Sequence, residues 1–205
     1  MIFFVTPRKG KPPGSISATD LAFFSMCPRL FLYRKIFGQK PTRRMMDGAK
    51  AHAHKYVEHL KRSTMKIPIG AAVEIAAQGE QLIGREVEVW GNGIYGIIDE
   101  IRLWGNSAVI IDYKSNISEF GKIQVLSYAY ALQQMGVENI DVKLVRTDDG
   151  FPLWTERFDK DAFSLIDRLK RAFLNTVREG TFSRAAHPSL CERCPFYHLC
   201  NSSNR

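Results

Sequence analysis

No apolar run in this sequence approaches the roughly 20 residues that a membrane-spanning helix needs. The opening Met1-Ile-Phe-Phe-Val is too short for the core of a signal peptide. The expected location is the cytoplasm, with no membrane attachment. There is no internal repeat and no low-complexity segment, which excludes a solenoid or a disordered linker. No motif for reading a particular base sequence is visible. Acidic residues are in deficit: 21 Asp and Glu face 29 Lys and Arg, a formal net charge of +8. That balance favours a polyanion, nucleic acid above all, as partner. Cysteine is scarce, with four in 205 residues. In a reducing cytosol such a set is not a disulfide framework, and spaced cysteines there point to metal or redox chemistry.

What is present is ordinary globular material, 45% apolar and 24% charged, enough for the core of a single domain over residues 1–205. Residues 1–5 read as a strand, followed by a basic Pro/Gly loop through Gly14. Ser15, Ser17 and Thr19 are candidate N-caps for a helix over 18–27, and Pro28 opens a second over 29–37. Further helices are expected at 45–62 and 71–82, then strands at 85–90, 94–103 and 108–114. Gly91-Asn92-Gly93 and Gly105-Asn106 mark the turns. A helix over 119–135 carries Val125, Tyr128, Leu132 and Met135 as an apolar stripe. A hairpin over 140–147 and 152–158 and a helix over 160–179 complete the pattern. This order predicts an α/β fold, a mixed sheet with helices packed over it. Basic residues crowd 29–62 and recur at Arg168, Lys170, Arg171 and Arg178.

Cys191, Cys194 and Cys200 are spaced Cys-x2-Cys-x5-Cys, while Cys27 lies near the opposite end of the chain. Four thiolates suit a zinc ion or an iron–sulfur cluster, and the one-plus-three split does not choose between them. The plain alternative is three tail cysteines and an unrelated core cysteine. One centre holding all four would join 18–37 to 187–205. It would close a loop of roughly 160 residues, worth on the order of 5 kcal/mol by analogy with cross-link entropy. Pro28 and Pro195 each follow a cysteine and would set the turns around it.

The chain is organised around residues 93–115, two strands folded back at Gly105-Asn106. Alternation sends Asp112 and Lys114 to one face and Tyr113 to the other. Antiparallel pairing would bring Asp99 beside Asp112. Two carboxylates with an amine alongside suit a divalent metal and a water to be oriented or activated. The plain alternative is a hairpin with one surface salt bridge.

Four motifs occur in order: Gly48-Ala49-Lys50-Ala51-His52, Gly96-Ile97-Ile98-Asp99, Asp112-Tyr113-Lys114 and Gln124-Val125-Leu126-Ser127-Tyr128. Together with the cysteine frame they resemble the iron–sulfur subgroup of the RecB-like PD-(D/E)xK nucleases. The whole-chain size looks like the CRISPR-associated RecB-like nuclease, the fourth family of that series. The resemblance implies a PD-(D/E)xK core with Mn²⁺ or Mg²⁺ held by His52, Asp99, Asp112 and the Tyr113 carbonyl. It implies that Lys114 positions water and that Gln124 and Tyr128 hold the DNA strand; the plain alternative for those two is a polar surface residue beside a core tyrosine. It further implies a cluster on Cys27, Cys191, Cys194 and Cys200, [4Fe–4S] favoured and [2Fe–2S] possible. The implied activity is an exonuclease on single-stranded DNA ends, acting in CRISPR adaptation beside integrase proteins; an oligomer is possible. The runner-up is a RecB-like recombination or repair nuclease, and the alternative from another class is a non-catalytic module stapled by zinc. His52, Tyr56 and His59 share one helix face. His54, on another face, reads as a surface or DNA-side residue, and His187 is left out of the cysteine centre.

Overall fold

β-branched residues alternating between Gly-Asn turns build the middle of a mixed sheet, as the sequence predicts. The structure, a computed structural model, describes residues 1–38, 43–63, 65–184, 188–192 and 194–202. Side chains at 43–45, 47, 48, 51, 52, 188 and 202 lie outside that description. The expected ligand His52 is therefore placed on its helix by backbone alone, and His187 lies outside the described residues.

Among the described residues eight strands form one sheet: β1 (Ile2–Val5), β2 (Ile16–Ser17), β3 (Met65–Lys66), β4 (Leu82–Gly91), β5 (Ile94–Trp104), β6 (Ser107–Lys114), β7 (Asn139–Arg146) and β8 (Pro152–Arg157). Their order is β3-β1-β4-β5-β6-β7-β8, with β2 alongside β5. β4, β5 and β6 form an antiparallel meander. β6 then pairs parallel with β7, and β1 pairs parallel with both β3 and β4. The two-residue strands β2 and β3 are missing from the sequence reading because no alternation shows in so short a run.

The helices are α1 (Ala18–Met26), α2 (Pro28–Phe37), α3 (Arg43–Arg62), α4 (Ile69–Ala77), α5 (Glu119–Gln133), α6 (Lys160–Glu179), α7 (Pro188–Glu192) and α8 (Tyr197–Ser202). Of the candidate caps, Ser17 is the one used: its Oγ accepts the Asp20 N–H at 3.0 Å. Cys27 sits between α1 and α2, with Pro28 in the first turn of α2, where a missing N–H is harmless. The parallel β6–β7 pair needs a crossover, and α5 supplies it. The expected stripe of Val125, Tyr128 and Leu132 is buried, and burial extends beyond it to every residue from Ile123 to Leu132. The sheet, α1 and α6 all pack against it. No described helix is long and apolar enough to cross a membrane.

The second basic group is largely tied up locally. Lys170 donates to the Asn92 carbonyl at 2.8 Å, and Arg171 pairs with Asp167 at 2.8 Å.

His59, which shares a face with His52, has a structural task instead. It is 4% exposed, donates from Nε2 to the Phe4 carbonyl at 2.8 Å and packs edge-on to Phe3. This anchors α3 to β1. Burial is the main reason its pKa lies below the usual value, with the Phe4 carbonyl opposing. A depressed histidine stabilises the fold fully above the unfolded value near 6.5, and that contribution is lost as pH falls through the lowered folded value. The urea midpoint is therefore expected to fall between pH 7 and pH 5, and to fall less in His59→Gln. An unchanged slope in the variant would assign the titration to another group.

Candidate active site

The β5–β6 register runs from Trp104 opposite Ser107 to Glu100 opposite Ile111. One step further it sets Asp99 opposite Asp112, but there the backbones part. Asp99 Oδ2 accepts the Tyr113 N–H at 2.8 Å in place of a ladder bond. The N–H and C=O of a strand residue point to the same side, so the Tyr113 carbonyl also faces the gap beside Asp99. On the other side of β6, the Lys114 carbonyl accepts the Thr147 N–H at 3.1 Å.

Lys114 Nζ lies 2.7 Å from Asp112 Oδ2, on the shared face that alternation predicts. Asp112 is 1% exposed. Burial alone lowers the Lys114 pKa, but Asp112 and Asp99 together outweigh it and hold the ammonium above its usual value. Lys114 is thus a cation and proton donor at neutral pH, not a base.

From α5, Gln124 and Tyr128 reach the same place. Gln124 Nε2 donates to the Tyr128 hydroxyl at 2.8 Å and to Thr19 Oγ1 at 3.3 Å. Burial first, then the field of Asp112 and Asp99, raises the Tyr128 phenol well above its usual value, so it remains protonated. Gln124 Oε1 is buried and has no hydrogen-bond partner among the described residues. A buried acceptor in that state calls for a ligand or a water. Gln124, at 9% exposure, is not the surface residue of the plain alternative.

Gly96 explains one spacing in physical terms. A Cβ there would lie 2.3 Å from Tyr128 Cε1, so the glycine of one motif makes room for the tyrosine of another. Gly96→Ala is expected to displace the ring and cost roughly 1–3 kcal/mol. Melting temperature and activity should both fall, and wild-type values for both would separate the two residues.

Gln124, Tyr128, Asp99, Tyr95, Thr19 and Glu86 line an open cleft of about 710 Å³. Ala49, Ala53 and Tyr56 of α3 line it too, so the helix that carries His52 borders the same cleft as Asp99. Sequence reasoning missed Glu86. It falls where the β4–β5 ladder skips a pair, between Arg85 opposite Glu100 and Val87 opposite Ile98, with φ 51°, and its Oε2 lies 3.2 Å from Arg8 Nη2. Its only signal is its place at that skip, which needs the register to be known.

The sequence matches the family model of the PD-(D/E)XK nuclease superfamily over residues 39–201. The chain belongs to that superfamily. Among solved structures, the protein SSO0001 is similar with a TM-score of 0.50 and 16% identity, covering 93% of this chain and 88% of the other. A Eubacterium rectale protein assigned by name as an exonuclease gives 0.50 and 12%, covering 91% and 88%. The alkaline exonuclease LHK-Exo of Laribacter hongkongensis gives 0.46 and 13%, covering 82% and 89%. At these identities the likeness is one of fold. No curated protein matches the sequence closely enough to count as a relative.

PD-(D/E)XK nucleases typically use divalent metals such as Mg²⁺ or Mn²⁺. Among the described residues no three His, Cys, Asp or Glu side chains gather as a metal ion needs. Asp99 and Asp112 are two, and the imidazole expected as the third lies outside the described side chains. The donor chemistry nonetheless fits a hard cation. Two carboxylates, a carbonyl turned into the gap and a buried amide oxygen lacking a donor suit a hydrated divalent ion.

The superfamily match includes the tail. Cys27, Cys191, Cys194 and Cys200 line one cleft of about 940 Å³. The Cys191 carbonyl accepts the Cys194 N–H at 3.1 Å, and the Cys194 carbonyl accepts the Tyr197 N–H at 3.1 Å. Arg29 Nη1 lies 3.6 Å from Cys200 Sγ, while its Nε donates to the Phe182 carbonyl at 2.9 Å. Burial pushes the Cys194 thiol up, the Phe196 backbone opposes this, and Cys27, Cys191 and Cys200 add to the rise. The four thiols share this cleft, but among the described residues no three of them gather closely enough to hold a metal ion.

Proposed function

We propose that this protein is a metal-dependent DNA nuclease that trims single-stranded ends as an exonuclease. The observation that carries the reading is the convergence of Asp99, Asp112 and Lys114 where β5 and β6 part, at the edge of an open cleft. Asp99, Asp112, the Tyr113 carbonyl and His52 would hold Mn²⁺ or Mg²⁺. Bound there, the cation supplies Lewis acidity toward the scissile phosphate and a water of lowered pKa. Lys114, kept protonated by the two acids, donates to the attacking water and offsets charge growing on the phosphoryl oxygens. Tyr128 donates its phenol proton toward the strand in the cleft. Gln124 Oε1 accepts from a donor on the substrate or from an ordered water.

The exonuclease assignment draws on the likeness to the Eubacterium rectale protein named as an exonuclease, and the DNA assignment on the net charge of +8. Cys27, Cys191, Cys194 and Cys200 would hold an iron–sulfur cluster, [4Fe–4S] rather than [2Fe–2S], as a cross-link between the chain ends. A four-iron cage needs thiolates spread around it, unlike a single ion, and one large cleft lined by four thiols suits it. A role in CRISPR adaptation beside integrase proteins rests on the sequence resemblance alone. A RecB-like role in repair would use the same site. The zinc-stapled binding module is disfavoured, because paired carboxylates repel phosphate.

End-labelled single-stranded DNA with Mn²⁺ and anaerobically purified protein tests the reading. Progressive shortening that stops on chelation is expected, from a brown preparation that contains iron. A folded protein that binds DNA but cleaves none with any divalent metal would establish the binding module instead.

A further inference from the structure

We propose that the back face of the active-site hairpin is a positioning device. Glu100, Arg85 and Tyr113, with Lys55 of α3, set the gap between β5 and β6 and the distance of α3 from it, and thereby the affinity of the site for its cation. The inference rests on the metal-nuclease reading above.

Glu100 follows Asp99 and by alternation turns to the other face of the sheet. It is 1% exposed, a buried carboxylate that no local pattern singles out. Arg85 pairs with its Oε2, and the Tyr113 hydroxyl donates to the same oxygen at 2.9 Å. Arg102 donates to Oε1 from Nε at 2.9 Å, with Nη2 at 2.8 Å. Burial, with Glu100 close by, raises the Tyr113 phenol above its usual value, so its O–H stays a donor. The Tyr113 ring lies under the Lys55 ammonium, 3.6 Å from ring centroid to Nζ. Lys55 Nζ also donates to the Thr147 carbonyl at 3.3 Å, and the Thr147 N–H is the one bound by Lys114.

A buried ion-pair cluster is by itself weak evidence of a stabilising role. Apolar residues of the same volume often serve a buried site as well or better than an ion pair. What the cluster supplies is a single geometry where backbone pairing has stopped, since the ladder ends at Glu100 opposite Ile111. Asp99 holds the parted strands on the front, through the Tyr113 N–H, and Glu100 holds them on the back, through the Tyr113 hydroxyl. Tyr113 lies between Asp112 and Lys114, so a shift of its ring moves both. Lys55 is three residues beyond His52 on α3, and it links that helix to the same ring. One aromatic side chain thus serves as the common reference for both elements that carry expected ligands.

The test compares wild type with Lys55→Met, Lys55→Arg and Glu100→Gln. Three quantities are read: calorimetric Mn²⁺ affinity, the Mn²⁺ dependence of cleavage, and metal-free melting. Lys55→Met is expected to weaken Mn²⁺ binding by roughly ten-fold, the scale seen when residues supporting metal ligands are removed. Cleavage lost at low Mn²⁺ should return at high Mn²⁺. Lys55→Arg, which keeps a cation over the ring, should restore most of the affinity. Glu100→Gln should shift affinity the same way. If wild type binds Mn²⁺ and the Lys55→Met protein melts lower yet binds it equally well, the residue is structural only and the proposal falls. A wild type that binds no Mn²⁺ overturns the nuclease reading along with it.

Discussion

Lys114→Ala is expected to reduce Mn²⁺-dependent cleavage by about 10²–10³-fold, the scale of losing one donor aimed at developing transition-state charge. The chain should remain folded. Lys114 contributes nothing to the hydrophobic core, and its ladder partner across the sheet, Arg146, is bonded through backbone that the variant retains. The electrostatic consequence is local but real. Asp112 is 1% exposed, and the variant removes the ammonium 2.7 Å from it. Metal-free protein should therefore melt lower than wild type, and added Mn²⁺ should recover part of the difference by replacing the lost positive charge. Undiminished cleavage would remove Lys114 from the mechanism. Normal cleavage with a lowered melting temperature would make it a purely structural counter-ion.

Cys194→Ala is expected to destabilise the protein more than Lys114→Ala does. Closing a loop of roughly 160 residues is worth on the order of 5 kcal/mol, and a centre lacking one of four ligands loses much of that. The tail would retain only lesser ties. Tyr33 packs on Phe196 with ring centroids 5.8 Å apart, and Arg29 reaches the Phe182 carbonyl. The effect should also extend to the cleft. α1 ends at Cys27 and carries Thr19 near its start, where Thr19 Oγ1 accepts from Gln124. Eight residues of helix place the two ends about 12 Å apart. Anaerobic melting curves and limited proteolysis read the outcome, with cleavage first expected in the tail. Equal melting curves for the cysteine and lysine variants would contradict a stapling role.

The hairpin of the candidate site was legible because its information is local. Gly105-Asn106 sets the turn, β-branched residues set the alternation, and these decide which face Asp112 and Lys114 share. The long helix α6 was equally clear, with Asp159 accepting at its start and Gly180 at φ 70° at its end. The parallel pairings of β1 with β4 and of β6 with β7 join distant segments, and no local pattern encodes them. The full burial of α5 escaped for the same reason, since α1, α6 and the sheet each cover a different side. Nothing local singles out Glu100; its partners Arg85, Tyr113 and Arg102 lie on three strands, and only their pairing shows how a carboxylate is accommodated there. Glu86 was hidden by its backbone, because a residue at φ 51° inside a strand does not follow alternation. His59 shared the helical spacing of a candidate ligand, and only the approach of β1 assigns it to Phe4.

The most direct test is a crystal structure grown with Mn²⁺ and phased on its anomalous signal. The account places the ion in the gap between β5 and β6, in contact with Asp99, Asp112 and the Tyr113 carbonyl, with the His52 imidazole turned toward it. Manganese found elsewhere, while Asp112 keeps Lys114 as its partner and the gap stays empty, would contradict it.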